Sequence, residues 1–344
     1  MKLALIYDKD DHKLQDTSYS WVYKGMLDAL VRRFDKVTHI HDDCYAPEID
    51  ADVIIFYDVH ATHHIRIDGI KSHPAIKMEY VSDPNQEEMR GVFRQFNRNV
   101  HKLGRRQRVG RFFERGLDYV ICPFRDGYHQ WLGEYMGSDA DRMLLYFPLA
   151  PAVSEIPLQN SRKPEILANG STADGGKHIY DFRRWAFTQP SVTNIPHWIS
   201  DKSTPSGQDY MKFLAGYKAA LALHDYFPVP KYFEIPMAGC VTFAQHYPEY
   251  EDLGFKDYET CIYVTKDNFE AKMKNFLADP DAYQKIAEAG KDLMMNDYTA
   301  DHFAEFIYNR ATNDARAGVS SKHVRFRPAL KQEVNLGSYY RTRH

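Results

Sequence analysis

The sequence lacks any apolar run of about 18 residues, so no membrane-spanning helix is expected. It lacks cysteine pairs. The four cysteines, Cys44, Cys122, Cys240 and Cys261, are scattered with no C-x-x-C spacing. Each lies in or beside an apolar run and reads as a buried free thiol in a reducing compartment, not as part of a disulfide framework. The opening "MKLALIYDKDD" turns acidic after one short apolar run and is expected to be a first β-strand, not a secretory leader. A cytoplasmic protein is expected. It lacks a dominant charge: 44 Lys and Arg against 47 Asp and Glu give a net charge of −3. Any anion-binding role must therefore come from local clusters. No internal repeat and no low-complexity tract occurs. The loop after the first strand, "DKDDHKLQDTSYS", has no G-x-G-x-x-G, which argues against a dinucleotide oxidoreductase.

What is present is an alternation of short apolar runs with helical patterns. At about 150 residues per domain, 344 residues predict two domains. "LALIY" (3–7), "DVIIFY" (52–57), "KMEYVS" (77–82), "DYVICP" (118–123) and "MLLYFP" (143–148) read as buried strands. Between the first two, "SWVYKGMLDALVRRF" (20–34) places Val22, Met26, Ala29 and Arg33 on one line, with Tyr23, Leu27, Leu30 and Phe34 beside it. That is a broad apolar helical face with Ser18 or Ser20 as N-cap. Strand–helix–strand alternation implies a parallel sheet covered by helices.

The pattern halts at "PLAPAVSEIPLQNSRKP" (148–164), whose four prolines read as a linker. It restarts with "EILANG" (165–170), "SVTNI" (191–195), "AALAL" (219–223), "CVTFA" (240–244) and "CIYVT" (261–265). A helix pair over 268–295 follows, split at Asp279-Pro280, with Phe269, Met273, Phe276 and Leu277 predicted as one apolar face. Ligands of such open sheets bind beyond the carboxyl ends of the strands, so functional residues are sought in the loops that follow them.

The segment 231–310, with "KYFEIPMAGCVTFAQHYPEYEDLGF…CIYVTKDNFEAKMKNFLADPDAYQKIAEAGKDLMMNDYT", resembles the C-terminal half of bacterial glycosyltransferases of the GT-B fold. Within them it is nearest the group that includes the spore maturation CgeB-like proteins. The resemblance rests on a basic residue, Phe-Glu, small or apolar residues and Gly239, joined to Pro248-Glu249 and "DPDAYQKIAEAG". It implies an α/β protein of the GT-B class: two Rossmann-like parallel-sheet domains facing a cleft. Residues 1–150 would bind the acceptor, 151–164 would link, and 165–300 would bind a nucleotide sugar, most commonly a UDP-sugar. Residues 301–344 would form a terminal helix and basic tail reaching back to the first domain. No cofactor and no bound metal are implied.

In that family the motif Glu holds the ribose hydroxyls of the donor, and Glu234 takes its position. A carboxylate at a helix N-terminus suits this, accepting two hydroxyl bonds under the helix dipole. Lys231 stands where the family usually has Arg and keeps a point charge for a diphosphate. Gly239 would permit close backbone approach. The bland alternative is an i, i+3 surface pair of Lys231 and Glu234. Retaining members often carry a second Glu eight positions earlier; here Tyr226 occupies that place, with Asp225 one residue off. In "NGSTADGGKHIYDFRR" (169–184), Gly170 and Ser171 offer backbone N–H groups to a phosphate, and Lys177 and Arg183 add charge.

In the first half, "YDVHATHHIRID" (57–68) puts Asp58, His60, His63 and His64 at a strand's carboxyl end. A sugar hydroxyl needs a base or strong positioning to attack, which makes these the candidate catalytic or acceptor-contacting groups, with Asp58 and His60 foremost. A metal pair of His60 and His64 at i, i+4 on a helix is the rival, unsupported by any H-E-x-x-H or Cys partner. Asp83, in "SDPNQ", is a further cleft-edge candidate. The run 90–116 carries nine basic residues against Glu114 alone, and Arg90, Arg94, Arg98 and Lys102 recur every four residues as a basic stripe. The tail from Arg310 onward is basic too. Beyond a solvated face, these suit an anionic polymer acceptor: DNA, a wall or surface polysaccharide bearing phosphate, or anionic lipid heads. The resulting expectation is a glycosyltransferase acting on a hydroxyl of a surface polysaccharide or, as a narrower case, a hydroxymethylated DNA base. The alternatives are a non-catalytic two-lobed sugar- or nucleotide-binding protein and a sugar-nucleotide epimerase of the same fold.

Overall fold

In a computed structural model of the protein, the structure describes residues 1–11, 14, 21–82, 84, 105–152, 161–172, 179–196, 205 and 207–316. The first half is built on β1 (Lys2–Ile6), β2 (Lys36–Ile40), β3 (Cys44–Tyr45), β4 (Val53–Tyr57), β5 (Ile67–Asp68), β6 (Ile76–Tyr80), β7 (Tyr119–Cys122) and β8 (Leu144–Tyr146). Six of these form one parallel sheet in the order β2-β1-β4-β6-β7-β8, while β3 and β5 pair with each other. The apolar runs predicted as strands are covered on both faces, as parallel sheets require. The strand β2, "KVTHI", is an addition: it is an edge strand whose Lys, Thr and His are largely open, so no apolar run marks it.

The helices of this half are α1 (Trp21–Arg33), α2 (Val59–Thr62), α3 (Arg105–Arg115), α4 (Arg125–Tyr128), α5 (Glu134–Met136) and α6 (Ala140–Met143). A π-helical turn, His129–Gly133, joins α4 to α5. The face predicted for α1 is buried at Val22, Tyr23, Met26, Leu27, Ala29 and Leu30, whereas Arg33 leaves it to pair with Glu305. The predicted caps Ser18 and Ser20 lie outside the described residues.

The second half repeats the plan. Its strands are β9 (Lys163–Gly170), β10 (Thr193–Pro196), β11 (Tyr217–Ala222), β12 (Val241–Ala244) and β13 (Ile262–Tyr263), all parallel, in the order β10-β9-β11-β12-β13. The helices are α7 (Asp181–Ala186), α8 (Gly207–Ala215), α9 (Lys231–Met237), α10 (Pro248–Asp252), α11 (Phe269–Ala278), α12 (Gln284–Asp297) and α13 (Ala300–Arg316). The break between α11 and α12 falls at the predicted Asp279-Pro280, with Asp279 accepting the Ala282 N–H at 3.3 Å. Leu277 is a correction: Phe269, Met273 and Phe276 are buried, but Leu277 is 39% exposed.

In each sheet the second strand lies on one side of the first and the third strand on the other. Chain direction across the sheet therefore reverses between β1 and β4, and again between β9 and β11. A crevice opens at the carboxyl ends of strands at such a reversal. The halves are packed together by one apolar cluster that runs from the first sheet to one face of the second. The helix α13 lies on α1: Arg32 pairs with Asp301 at 2.7 Å, and Phe34 meets the Tyr308 ring edge-on at 5.2 Å. Tyr119 on β7 donates to Asp314 at 2.5 Å. Among the described residues no helix is long and apolar enough to cross a membrane.

Candidate active site

The second crevice gathers charge around one glycine. Strand β9 ends at Gly170, whose φ of 137° is open only to glycine. A Cβ there would stand 3.0 Å from Lys231 Cε and 3.7 Å from Arg183 Nη1. Lys231 opens α9. Its ammonium donates to the Tyr210 hydroxyl, lies 4.6 Å over that ring, and reaches Asn169 Oδ1 at 3.5 Å. Burial pulls its pKa down, with the Glu234 charge opposing. Arg183 is 5% exposed. Its Nη1 donates to Ser171 O at 2.9 Å and its Nε to Leu223 O at 2.8 Å, so the guanidinium ties together the chain leaving β9 and β11. Beside it, burial and Arg183 push the His224 pKa well down. The neutral ring accepts the Tyr226 and Phe227 N–H groups on Nδ1 at 3.2 and 3.3 Å.

Glu234 lies in the first turn of α9 and is 3% exposed. The surface-pair alternative fails because the carboxylate is buried and Lys231 turns to Tyr210 and Asn169. Glu234 Oε1 accepts instead from Trp21 Nε1, across from α1, at 2.9 Å. Burial raises its pKa, while Lys231 and the Trp21 bond lower it. Within α9, Pro236 cannot donate to the Tyr232 carbonyl, and the Tyr250 hydroxyl does so at 2.8 Å. That substitution lets a proline sit inside the helix that presents Lys231 and Glu234.

Gly239 is a correction. It follows the far end of α9 with φ 72° and donates its N–H to Pro236 O at 2.8 Å, while its carbonyl accepts from Arg162 at 2.6 Å. It stops the helix at the opposite end from Lys231, where a left-handed residue is required. Asp225 is committed elsewhere too: its carboxylate accepts the Asp181 N–H at the start of α7 at 2.8 Å. Lys177 lies outside the described residues.

At the carboxyl ends of β4 and β6, Asp11, Leu14, Tyr23, Tyr57, Asp58, Tyr80 and Ser82 meet around a narrow recess. Asp58 follows β4 with φ 72°, a left-handed conformation that Asp tolerates better than most residues. Its carboxylate accepts from the Ser82 hydroxyl, and its carbonyl accepts from Thr62 N and Oγ1, both at 2.9 Å. His60 lies in α2, His63 is half-buried and His64 exposed. The helix ends at Thr62, so the i, i+4 pairing of His60 and His64 does not form. Behind the loop, Arg115 reaches Glu79 and Thr62 O at 2.6 and 2.7 Å.

The basic run is corrected where it is described. Arg108 and Arg115 are buried: Arg108 donates to Pro84 O at 2.8 Å, and Arg115 binds Glu79. Arg108, Phe112 and Arg115 share the inner face of α3, so that part of the cluster is structural. Asp83, Arg90, Arg94, Arg98 and Lys102 lie outside the described residues.

The chain's reading missed Trp21, Asn169, Tyr210 and His224. His224 follows "AALAL" as Asp58 follows "VIIFY", and the same strand-end rule points to it. Trp21 and Tyr210 arrive through the tertiary fold and carry no local signal. A second contact between the halves is Glu249, 2% exposed, which accepts the Asp126 N–H at 3.1 Å beside the Arg125–Asp252 pair. Burial lifts its pKa to about 7.

A family model described as glycosyl transferase-like matches residues 185–309. No curated protein matches the sequence. Among solved structures, Anabaena HepE in complex with UDP superposes with a TM-score of 0.53 at 9% identity, over 91% of this chain and 100% of that one. The DNA modifying enzyme beta-glucosyltransferase, solved in the presence and absence of uridine diphosphoglucose, superposes with a TM-score of 0.50 at 11% identity, over 91% and 100%. TarM gives a TM-score of 0.49 at 10% identity over 75% of this chain, which spans 54% of TarM's length. The fold is GT-B: two Rossmann-like parallel-sheet domains facing a cleft.

Proposed function

We propose that the protein is a nucleotide-sugar-dependent glycosyltransferase. Its second half would hold the donor and the Asp58 crevice would present the acceptor hydroxyl. The observation that carries this is the convergence of Lys231 and Arg183 on Gly170, with Glu234 one turn further along α9. Cations so arranged would suit a diphosphate, and a buried carboxylate would suit the paired hydroxyls of a ribose. The family match over 185–309 covers Lys231 and Glu234, while Gly170 and Arg183 lie just ahead of it. A uridine nucleotide is the favoured donor, because HepE, which shares the fold, was solved with UDP. The motif around Phe233-Glu234 resembles that of the CgeB-like group, which supports a position near it.

In the reaction, the bond between the anomeric carbon and the diphosphate oxygen breaks as the acceptor oxygen bonds to that carbon. The acceptor proton passes to Asp58, and the departing diphosphate keeps the electron pair, its charge met by Lys231. Arg183 holds Ser171 and Leu223 in place and stands, like Lys231, beside Gly170. The acceptor we favour is an anionic polymer, on the strength of Arg90, Arg94, Arg98 and Lys102 in the sequence. Buried free Cys122, Cys240 and Cys261 support a reducing, cytoplasmic setting.

The test is hydrolysis and transfer with a panel of nucleotide sugars, followed by gel-shift titration on duplex DNA at low salt. Release of a nucleoside diphosphate from one donor supports the reading, and no release from any donor opposes it. DNA binding with a steep salt dependence would select DNA as acceptor, and its absence would select a carbohydrate polymer.

A further inference from the structure

The carboxylate of Glu234 is held by a side chain from the other half of the molecule. Trp21 opens α1 and is 7% exposed; its Nε1–H meets Glu234 Oε1 at 2.9 Å. Among the described residues no other hydrogen bond reaches this carboxylate. Among the described residues, Lys231, Tyr210 and Arg183 spend their hydrogen bonds elsewhere, although the Lys231 charge still acts on the carboxylate. Lys231, on the same helix, goes to Tyr210 and Asn169. Tyr210 of α8 accepts from Lys231, and Arg183 of α7 is spent on the carbonyls of Ser171 and Leu223. A buried carboxylate without donors is costly to keep charged. The indole is therefore its single fixed donor among the described residues.

The chemistry of that donor matters. An indole N–H only donates, cannot swap to acceptor, and sits on a rigid ring with two side-chain torsions. A carboxylate has roughly four acceptor positions. The Trp21 bond uses one and leaves Oε2 for a ligand.

We propose that Trp21 is a positioning residue of the donor-nucleotide site: it fixes the orientation of Glu234 so that Oε2 receives a ribose hydroxyl. This rests on the reading of the second half as the donor site. Trp21 also ties the two crevices together, because Tyr23, two residues along the first turn of α1, lines the Asp58 recess. Losing the indole donor leaves Glu234 freer to rotate and easier to protonate. A protonated or misdirected carboxyl accepts ribose hydroxyls poorly, and it distinguishes ribose from 2′-deoxyribose less well.

The experiment is calorimetric titration of UDP and 2′-deoxy-UDP across the acid-to-neutral range, for wild type, Trp21→Phe and Glu234→Gln. The expected result for Trp21→Phe is about 10-fold weaker UDP binding, the scale of one charged hydrogen bond. The preference for UDP over its deoxy analogue narrows. The acid edge of binding moves to higher pH, a readout that a purely structural role would leave in place. In wild type, the four indole N–H signals are followed by NMR: UDP should shift the Trp21 signal without speeding its hydrogen exchange. That measurement stands whether or not the phenylalanine variant folds. Unchanged or tighter UDP binding in a folded Trp21→Phe, with Glu234→Gln impaired, overturns the role of Trp21 alone. Faster exchange of the Trp21 N–H on binding does the same. No UDP binding by wild type, or equal binding by Glu234→Gln, overturns the donor-site reading and this inference with it.

Discussion

Arg115 and Glu79 form an ion pair sealed from solvent, with Nη1 lying 2.6 and 2.7 Å from the two carboxylate oxygens and the side chains 6% and 0% exposed. The same guanidinium lies 4.0 Å over the Phe56 ring and donates to Thr62 O at 2.7 Å. The pair thus fastens α2, the turn after Asp58, to β6.

Removing one partner should cost roughly 3–5 kcal/mol, because a buried charge is left alone. Glu79→Leu or Arg115→Met is expected to lower the urea midpoint strongly, and the double variant should recover part of that loss. A double variant as unstable as the sum of the singles would contradict this account.

Asp58→Asn keeps a side chain that tolerates φ 72° and removes the proposed base. Turnover should fall by about 100-fold or more with nucleotide affinity nearly unchanged. The opposite pattern, normal turnover with lost affinity, would move Asp58 to the donor side.

Gly170→Ala forces a side chain into a glycine-only conformation and against Lys231 Cε at 3.0 Å. A loss of about 1–3 kcal/mol of stability is expected, with weaker nucleotide binding as Lys231 is displaced. Unaltered binding of UDP by the folded variant would show that the Gly170–Lys231 approach does not serve the ligand.

The fourth expectation concerns pH. Burial raises Glu249 to about 7. In the unfolded chain it titrates near its ordinary value of about 4.3. Between these values the folded state holds the extra proton, so the stability from this group is present at low pH and lost as pH rises through about 7. Glu249→Gln retains an acceptor for the Asp126 N–H and should flatten the fall in melting temperature between about pH 5 and 7. A slope identical to wild type would assign the pH dependence to other groups.

The central strands and the helix pair around Asp279-Pro280 were legible because buried parallel strands are apolar on both faces and Asp-Pro interrupts a helix. The edge strand β2 was not, since an open edge carries Lys, Thr and His. Around the candidate site, Gly170, Lys231, Arg183 and Glu234 could be read from strand ends and motif, and the fold brings them together. Their partners could not. Trp21 lies 213 residues from Glu234 in sequence, and Tyr210 reaches Lys231 from another helix. Gly239 shows a different limit. A left-handed glycine serves either a close approach or a helix stop, and only the end of the helix on which it falls decides. In the basic run, charge alone hid the inner-face spacing of Arg108, Phe112 and Arg115.

The two sheets share one strand order, yet their crevices carry opposite chemistry: an aspartate among tyrosines in the first, a lysine and an arginine around a glycine in the second. On the proposed reading, a long ligand with phosphates at one end and neutral hydroxyls at the other would have one favoured way to lie across the cleft, its phosphates toward Lys231 and Arg183 and its hydroxyls toward Asp58.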